Sequence, residues 1–202
     1  MPEDTQHKGW HSRGYLPHLD SPELIQAVTF RLADALPKSV IDAWKRELEK
    51  NTPTEKPQQE RILRERIARF EDAGHGACLL RNPSYASILQ NALLHFDGDR
   101  YRLLEWCVMP NHVHILVYCP EGSRLGDLVK TWKIFSAREI NRLLGIQGSL
   151  WAKDYHDRYI RDENHLTNAR AYIRKNPVKA GLCEKPEDWP WSSAGHPGNA
   201  SL

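Results

Sequence analysis

The chain has 202 residues, 40% of them apolar and 27% charged, with a formal net charge of only +2. This supports one domain with a real core and excludes low-complexity and strongly polyelectrolyte chains. No apolar run approaches the roughly 20 residues that span a bilayer, and the polar N-terminal stretch has no signal-peptide core. Cys78, Cys107, Cys119 and Cys183 form no Cys-x-x-Cys pair, so a cytoplasmic protein with reduced thiols is expected. Charge is uneven: residues 123–180 hold twelve Lys and Arg against six Asp and Glu. Such a surplus suits a polyanion, and it equally suits solvated helix faces.

Residues 1–22 read as an arm in which Lys8, Trp10, His11, Arg13, Tyr15 and His18 mix rings with cations. Such a segment can stack on bases and pair with phosphates, or simply pack its aromatics on the body. Residues 25–32 alternate as a strand, with Val28, Phe30 and Leu32 on one face and Ala27, Thr29 and Arg31 on the other. A helix opens near Pro37 and runs through Ile41, Trp44 and Leu48 to Lys50, followed by a loop over 51–59. A second helix carries Ile62, Leu63, Ile67 and Phe70 and stops at Gly74. Asn82 and Pro83 read as N-cap and first residue of a third, which passes Ile88, Leu89 and Leu93 and stops near Gly98. All three read as structural.

Residues 100–108 and the strand from His112 form an antiparallel hairpin across the turn at Pro110 and Asn111. On the second strand His112, His114, Leu116 and Tyr118 share one face, while Val113, Ile115, Val117 and Cys119 share the other, which is apolar throughout. Two neighbouring imidazoles on a rigid strand suit a metal ion, and a third ligand must come from elsewhere. Beyond Gly122, apolar residues from Leu125 to Leu144 keep helical spacing, leaving Lys130, Lys133, Arg138 and Arg142 to solvent or a ligand. A fourth strand is expected within 151–160. The last helix begins near Asp162 and is expected to end before Pro177. It packs with Leu166, Ala169 and Ile173, and beside that stripe His165, Asn168, Tyr172 and Asn176 recur on one face.

His112-Val113-His114 after Pro110-Asn111, Trp151 with Tyr159-Ile160-Arg161, the run from Tyr172-Ile173-Arg174-Lys175-Asn176-Pro177-Val178-Lys179 to Ala180-Gly181, and Trp189-Pro190-Trp191-Ser192-Ser193 together resemble the REP-associated tyrosine transposases. These belong with the single-tyrosine transposases of small insertion sequences, among the His-hydrophobic-His (HUH) single-strand endonucleases. The resemblance implies an α+β fold, a ferredoxin-like or RRM-like two-layer domain. Its central antiparallel sheet would have about four strands, with the tyrosine helix on one face. It implies a single domain over 1–202, with 1–22 as an arm, about 51–80 as a peripheral insertion and 186–202 as a tail.

By the same resemblance, His112, His114 and Asn176 would hold Mg2+ or Mn2+, and Tyr172 would be the nucleophile. Arg174, Lys175 or the metal would activate the phenol. Lys8, Trp10, Arg13, Tyr15, Lys130, Lys133, Arg174 and Lys175 would contact DNA. The implied activity is transposition: a metal-dependent nicking and rejoining of single-stranded DNA beside a palindromic hairpin, through a 5′-phosphotyrosine link. The protein would be a monomer or homodimer without membrane contact. The alternative is a host-domesticated protein that binds DNA hairpins without cleaving them, and a zinc hydrolase closing its site with His165 is a further rival.

Overall fold

The structure, a computed structural model, describes residues 9–12, 17–51 and 55–196. Its centre is a four-stranded antiparallel sheet in the order β4-β5-β3-β6, built from β3 (Leu24–Arg31), β4 (Arg102–Val108), β5 (His112–Cys119) and β6 (His156–Tyr159). The α+β architecture and sheet match the sequence expectation, and β5 is a central strand. Residues 151–160 contribute less strand than expected, because Trp151 makes only an isolated bridge to Leu32. β1 (Gly9–Ser12) and β2 (Pro17–Asp20) pair as a separate hairpin where the sequence reads as an arm without periodicity.

Period-two alternation sends the two faces of β3 and β5 into two cores. Val28, Phe30, Val113, Ile115 and Val117 face α3 (Pro83–Leu94) and α4 (Leu125–Leu144), meeting Leu89, Leu93, Val129 and Trp132. Trp132 Nε1 donates there to the Tyr101 hydroxyl at 3.0 Å, which donates to the Leu93 carbonyl at 2.6 Å. Asn82 caps α3 through its side chain, which accepts from the Ser84 N–H, and Pro83 begins the helix as expected. The histidine face is covered by α5 (Glu163–Lys179), whose Ile173, Leu166 and Ala169 pack on Leu116, Cys107 and Met109.

α5 does not end before Pro177. Proline removes one intrahelical donor, and here that loss falls in the last turn, which is closed by Ala180 N–H to Asn176 O at 2.9 Å and Leu182 N–H to Pro177 O at 2.9 Å. The 186–202 segment, as far as it is described, extends the sheet edge. Val108 N–H donates to Trp191 O at 2.8 Å, and Ser193 N–H donates to Trp106 O at 2.9 Å.

α1 (Lys38–Asn51) and α2 (Lys56–Asp72) form a helical hairpin with its own small core of Leu36, Ile41, Leu48, Leu63 and Ile67. α2 begins at Lys56, earlier than the expected loop allows, because Pro57 fits a first helical turn. Its C-terminal end is tied back to the body. Asp34 Oδ2 accepts from the Ala77 N–H at 2.7 Å, and Gly76, at φ +86°, lets Asp34 approach to 3.0 Å of where a Cβ would stand.

The β1–β2 hairpin is pinned by one buried histidine. His18 Nε2 contacts Asp154 Oδ1 at 2.9 Å while Nδ1 contacts Asp157 Oδ1, and Leu19 N–H donates to Asp157 Oδ2 at 3.1 Å. Desolvation disfavours the imidazolium, but the two carboxylates outweigh it and raise His18 from 6.5 to about 9. A raised folded-state pKa stabilises fully below the unfolded value near 6.5 and fades as pH rises through about 9. Melting of wild type and His18→Gln should therefore differ by about 4 °C or more at pH 6 and converge near pH 10. A gap independent of pH would remove the ion triad from the account.

Candidate active site

β5 presents His112 and His114 on one face, both buried, and the two Nε2 atoms face each other at 2.9 Å. Each ring is fixed through its other nitrogen. His112 Nδ1 meets Asn111 Oδ1 at 2.7 Å, and His114 Nδ1 meets the Thr29 hydroxyl at 2.8 Å from the neighbouring strand. Asn111 is held in turn, its Nδ2 donating to the carbonyls of Glu71 at 3.2 Å and His75 at 2.9 Å. An amide oxygen can only accept, so His112 carries its proton on Nδ1 and its Nε2 lone pair points into the site. In the tautomer in which the Thr29 hydroxyl accepts from His114 Nδ1, the one that leaves both rings able to bind a cation, a second lone pair points at the first.

Two facing lone pairs repel unless a cation lies between or beside them, and orienting partners on the far nitrogens are what metal-bound imidazoles have. Burial keeps both rings neutral. Desolvation, with His114 and Arg31 adding, pushes His112 well below 6.5, and desolvation brings His114 to about 4. Ligands bound side by side at about 2.1 Å from one ion stand about 3.0 Å apart, which the 2.9 Å separation matches.

α5 brings Tyr172 over this pair, its ring centre 5.3 Å from that of His114 and its side chain 40% exposed. Asn176, one turn on, is buried, and neither its Oδ1 nor its Nδ2 has a hydrogen-bond partner of regular geometry. An unsatisfied buried polar group costs about 1–3 kcal/mol, and a ligand atom at Asn176 would relieve that cost. Burial raises the Tyr172 hydroxyl to about 12, with Asp72 and Glu71 adding and the Asn176 amide opposing. At neutral pH it is a phenol.

Sequence reasoning missed the third group at the histidines. Asp72, the last residue of α2, places Oδ1 3.7 Å from His112 Nε2, and its oxygen and the two imidazole nitrogens lie within 4.8 Å of one another. The 51–80 stretch is thus not peripheral where it ends: α2 reaches the histidines directly and through Asn111. Glu71 beside it pairs with Arg31 at 3.1 Å, and burial pushes its carboxyl up to about 7 against that pull. No pattern in α2 distinguishes Asp72, because only the tertiary return of the helix brings it here. Lys179 was also missed. Its Nζ lies 3.0 Å from Asp72 Oδ2 and 5.7 Å from the Tyr172 ring centre, and it continues the Tyr172–Asn176 stripe by one more turn.

The expected DNA contacts separate. Lys8, Arg13 and Tyr15 lie outside the described residues. Trp10 is 65% exposed, edge-on to Tyr159 at 6.3 Å, and Lys130 and Lys175 are exposed. Two others already have partners within the fold. Lys133 donates to the carbonyls of Ala152 at 2.6 Å and Lys153 at 3.2 Å, and burial lowers its ammonium to about 8. Arg174 grips buried Glu105 with Nε at 2.9 and 3.0 Å from its two oxygens, which clamps α5 to β4. These contacts engage Lys133 Nζ and Arg174 Nε, while the Arg174 side chain stays 48% exposed. A cluster that sequence reasoning passed over is Arg64, Arg158 and Arg161, all exposed; desolvation and the neighbouring Arg161 and Arg64 lower Arg158. His165 takes the Arg161 N–H at 3.3 Å and is not part of the metal-spaced group. Among the described residues no helix is long and apolar enough to cross a membrane.

Residues 83–176 match the family described as "Transposase IS200 like". A Haemophilus influenzae protein provisionally named as a REP-associated tyrosine transposase is 32% identical over 97 residues, 43% of this chain and 55% of its own. The REP-associated tyrosine transposase of Escherichia coli K12 is 27% identical over 107 residues, 52% of this chain and 62% of its own. The chain thus spans little more than half the length of these relatives. A solved REP-associated tyrosine transposase bound to a REP hairpin superposes with a TM-score of 0.55 at 18% identity, over 90% of this chain and 82% of that one, which supports the shared fold.

The partners on the far imidazole nitrogens can be tested alone. Asn111→Ala and Thr29→Val should each weaken Mn2+ binding by roughly 10–100-fold in calorimetric titration while leaving the far-UV spectrum unchanged. Unaltered affinity in both would mean that the rings need no orienting.

Proposed function

We propose, for a chain whose residues 83–176 belong to the IS200-like transposase family, that it nicks and rejoins single-stranded DNA beside a palindromic hairpin. Tyr172 is the nucleophile. The observation that carries this reading is the placement of a tyrosine over two neutral imidazoles whose Nε2 atoms converge at 2.9 Å, one turn from a buried asparagine.

His112, His114 and Asn176 would hold Mg2+ or Mn2+, which when bound supplies Lewis acidity toward the scissile phosphate. Hard oxygen and imidazole donors suit either ion. The chain's own residues do the rest. The Tyr172 oxygen, losing its proton as it attacks, forms a bond to phosphorus. The bond from phosphorus to the 3′ oxygen breaks, and that oxygen leaves with the electron pair and takes up a proton. The phosphate stays esterified to Tyr172 on its 5′ side. Attack by a second 3′-hydroxyl reverses the step and joins new ends, so the phosphoester count is unchanged and no nucleotide is consumed. With the hydroxyl raised to about 12, the phenolate needs cationic help, which a bound divalent ion would supply.

A hairpin substrate is supported by the solved relative, whose partner is a REP hairpin. The exposed Arg64, Arg158 and Arg161 offer a phosphate-binding surface, Lys130 and Lys175 are further exposed cations, and the exposed Trp10 offers a ring for stacking on a base.

The test is a labelled oligonucleotide carrying a palindromic repeat from the flanking genome, incubated with Mn2+ and run on a denaturing gel. Wild type should give a protease-sensitive shifted band, lost in chelator, and Tyr172→Phe should give none while binding the hairpin within about threefold. An equal band from Tyr172→Phe would displace Tyr172. Tight binding with no band from either protein would favour a hairpin-binding protein that does not cleave.

A further inference from the structure

The histidine site receives a side chain from outside the segment that carries the tyrosine and both histidines, and that side chain has unequal oxygens. Asp72 Oδ2 is taken by Lys179 at 3.0 Å. Oδ1 is buried without a hydrogen-bond partner and lies 3.7 Å from His112 Nε2, too long for a hydrogen bond. The side chain is only 12% exposed. A carboxylate oxygen buried, unpaired and turned toward two imidazole lone pairs is costly as it stands. It becomes favourable with a divalent cation among the three atoms.

We propose that Asp72 is a ligand of the divalent ion through Oδ1, with Lys179 holding Oδ2 so that the free oxygen stays turned to the site. The α1–α2 hairpin is then part of the active centre. The inference rests on the metal reading above and adds an anionic donor to a neutral set. Two imidazoles, one amide oxygen and one carboxylate make a site with a net negative charge, which favours a divalent ion over a monovalent one.

α2 has two independent links to the site. The Glu71 and His75 carbonyls position Asn111, which orients His112, and Asp72 supplies the oxygen. Ion binding should therefore tighten the end of α2, a segment the histidines alone do not restrain.

The experiment is calorimetric titration of full-length protein with MnCl2, alongside hydrogen exchange with and without Mn2+. Asp72→Ala should bind Mn2+ at least tenfold more weakly than wild type, and Mn2+ should slow exchange over residues 69–75 in wild type but not in the variant. Asp72→Asn keeps the volume and should also lose at least fivefold, which guards against a folding defect in the alanine form. His114→Ala separates the two readings. If it loses Mn2+ binding while both Asp72 variants stay within twofold of wild type, the Asp72 assignment is overturned and the histidine site stands. If His114→Ala also binds as wild type does, the metal reading itself falls.

Discussion

The 2.9 Å approach of His112 Nε2 to His114 Nε2 is the contact on which the rest of the molecule depends. Two neutral imidazoles do not choose to aim lone pairs at each other. They are brought to do so by a central strand, which fixes the Cβ directions, and by partners on the opposite nitrogens: the Asn111 amide sets the His112 tautomer, and the Thr29 hydroxyl accommodates the matching one of His114. Removing the water that would otherwise solvate those lone pairs needs covers on several sides. α5 lies over the pair, α2 closes beside it, and β3 contributes Thr29 and the Arg31–Glu71 pair.

The cost of that arrangement is visible. Asp72 Oδ1 and both polar atoms of Asn176 are buried without regular hydrogen bonds, an expense of several kcal/mol at about 1–3 each. The larger core around Trp106, Trp132 and Phe30 is closely packed, and its polar atoms at Tyr101, Trp132 and Trp151 reach partners, while Trp106 Nε1 does not. At the tyrosine site three such atoms, one on Asp72 and two on Asn176, lie on residues that flank the histidine pair, where a partner from solution would satisfy them.

The sequence disclosed what is periodic or local. The alternation of β5 separated the histidine face from the core face, Asn82-Pro83 announced the start of α3, and the Tyr172–Asn176 spacing placed both on one helical stripe. Contacts that depend on the chain returning from a distance were not legible. Asp72 ends a helix that reads as an ordinary surface element with a small core of its own, and nothing in its neighbours says that Asn111 will take the carbonyls beside it. The β1–β2 hairpin lacked alternation because its anchor is polar, with His18 buried between Asp154 and Asp157. Arg174 and Lys133 show the other limit of local reading. Sequence shows a cation but not its partner, and here buried Glu105 and two backbone carbonyls claim them.

Electrostatics finally bear on when such a tyrosine would react. Burial and the carboxylates of Asp72 and Glu71 push its hydroxyl to about 12, so without a cation the ring is held as a phenol, a weak nucleophile. The histidines are lowered by burial and stay neutral through the physiological range, which keeps their lone pairs ready instead of protonated. The acidic groups that hold back the phenolate are therefore the same ones that would attract a divalent ion, and a bound ion would reverse the sign of the field the hydroxyl feels. An arrangement of this kind makes nucleophile strength conditional on the ion. A phosphodiester-attacking residue half exposed at the surface gains from that, because without the ion it has little power to attack any phosphate that drifts past.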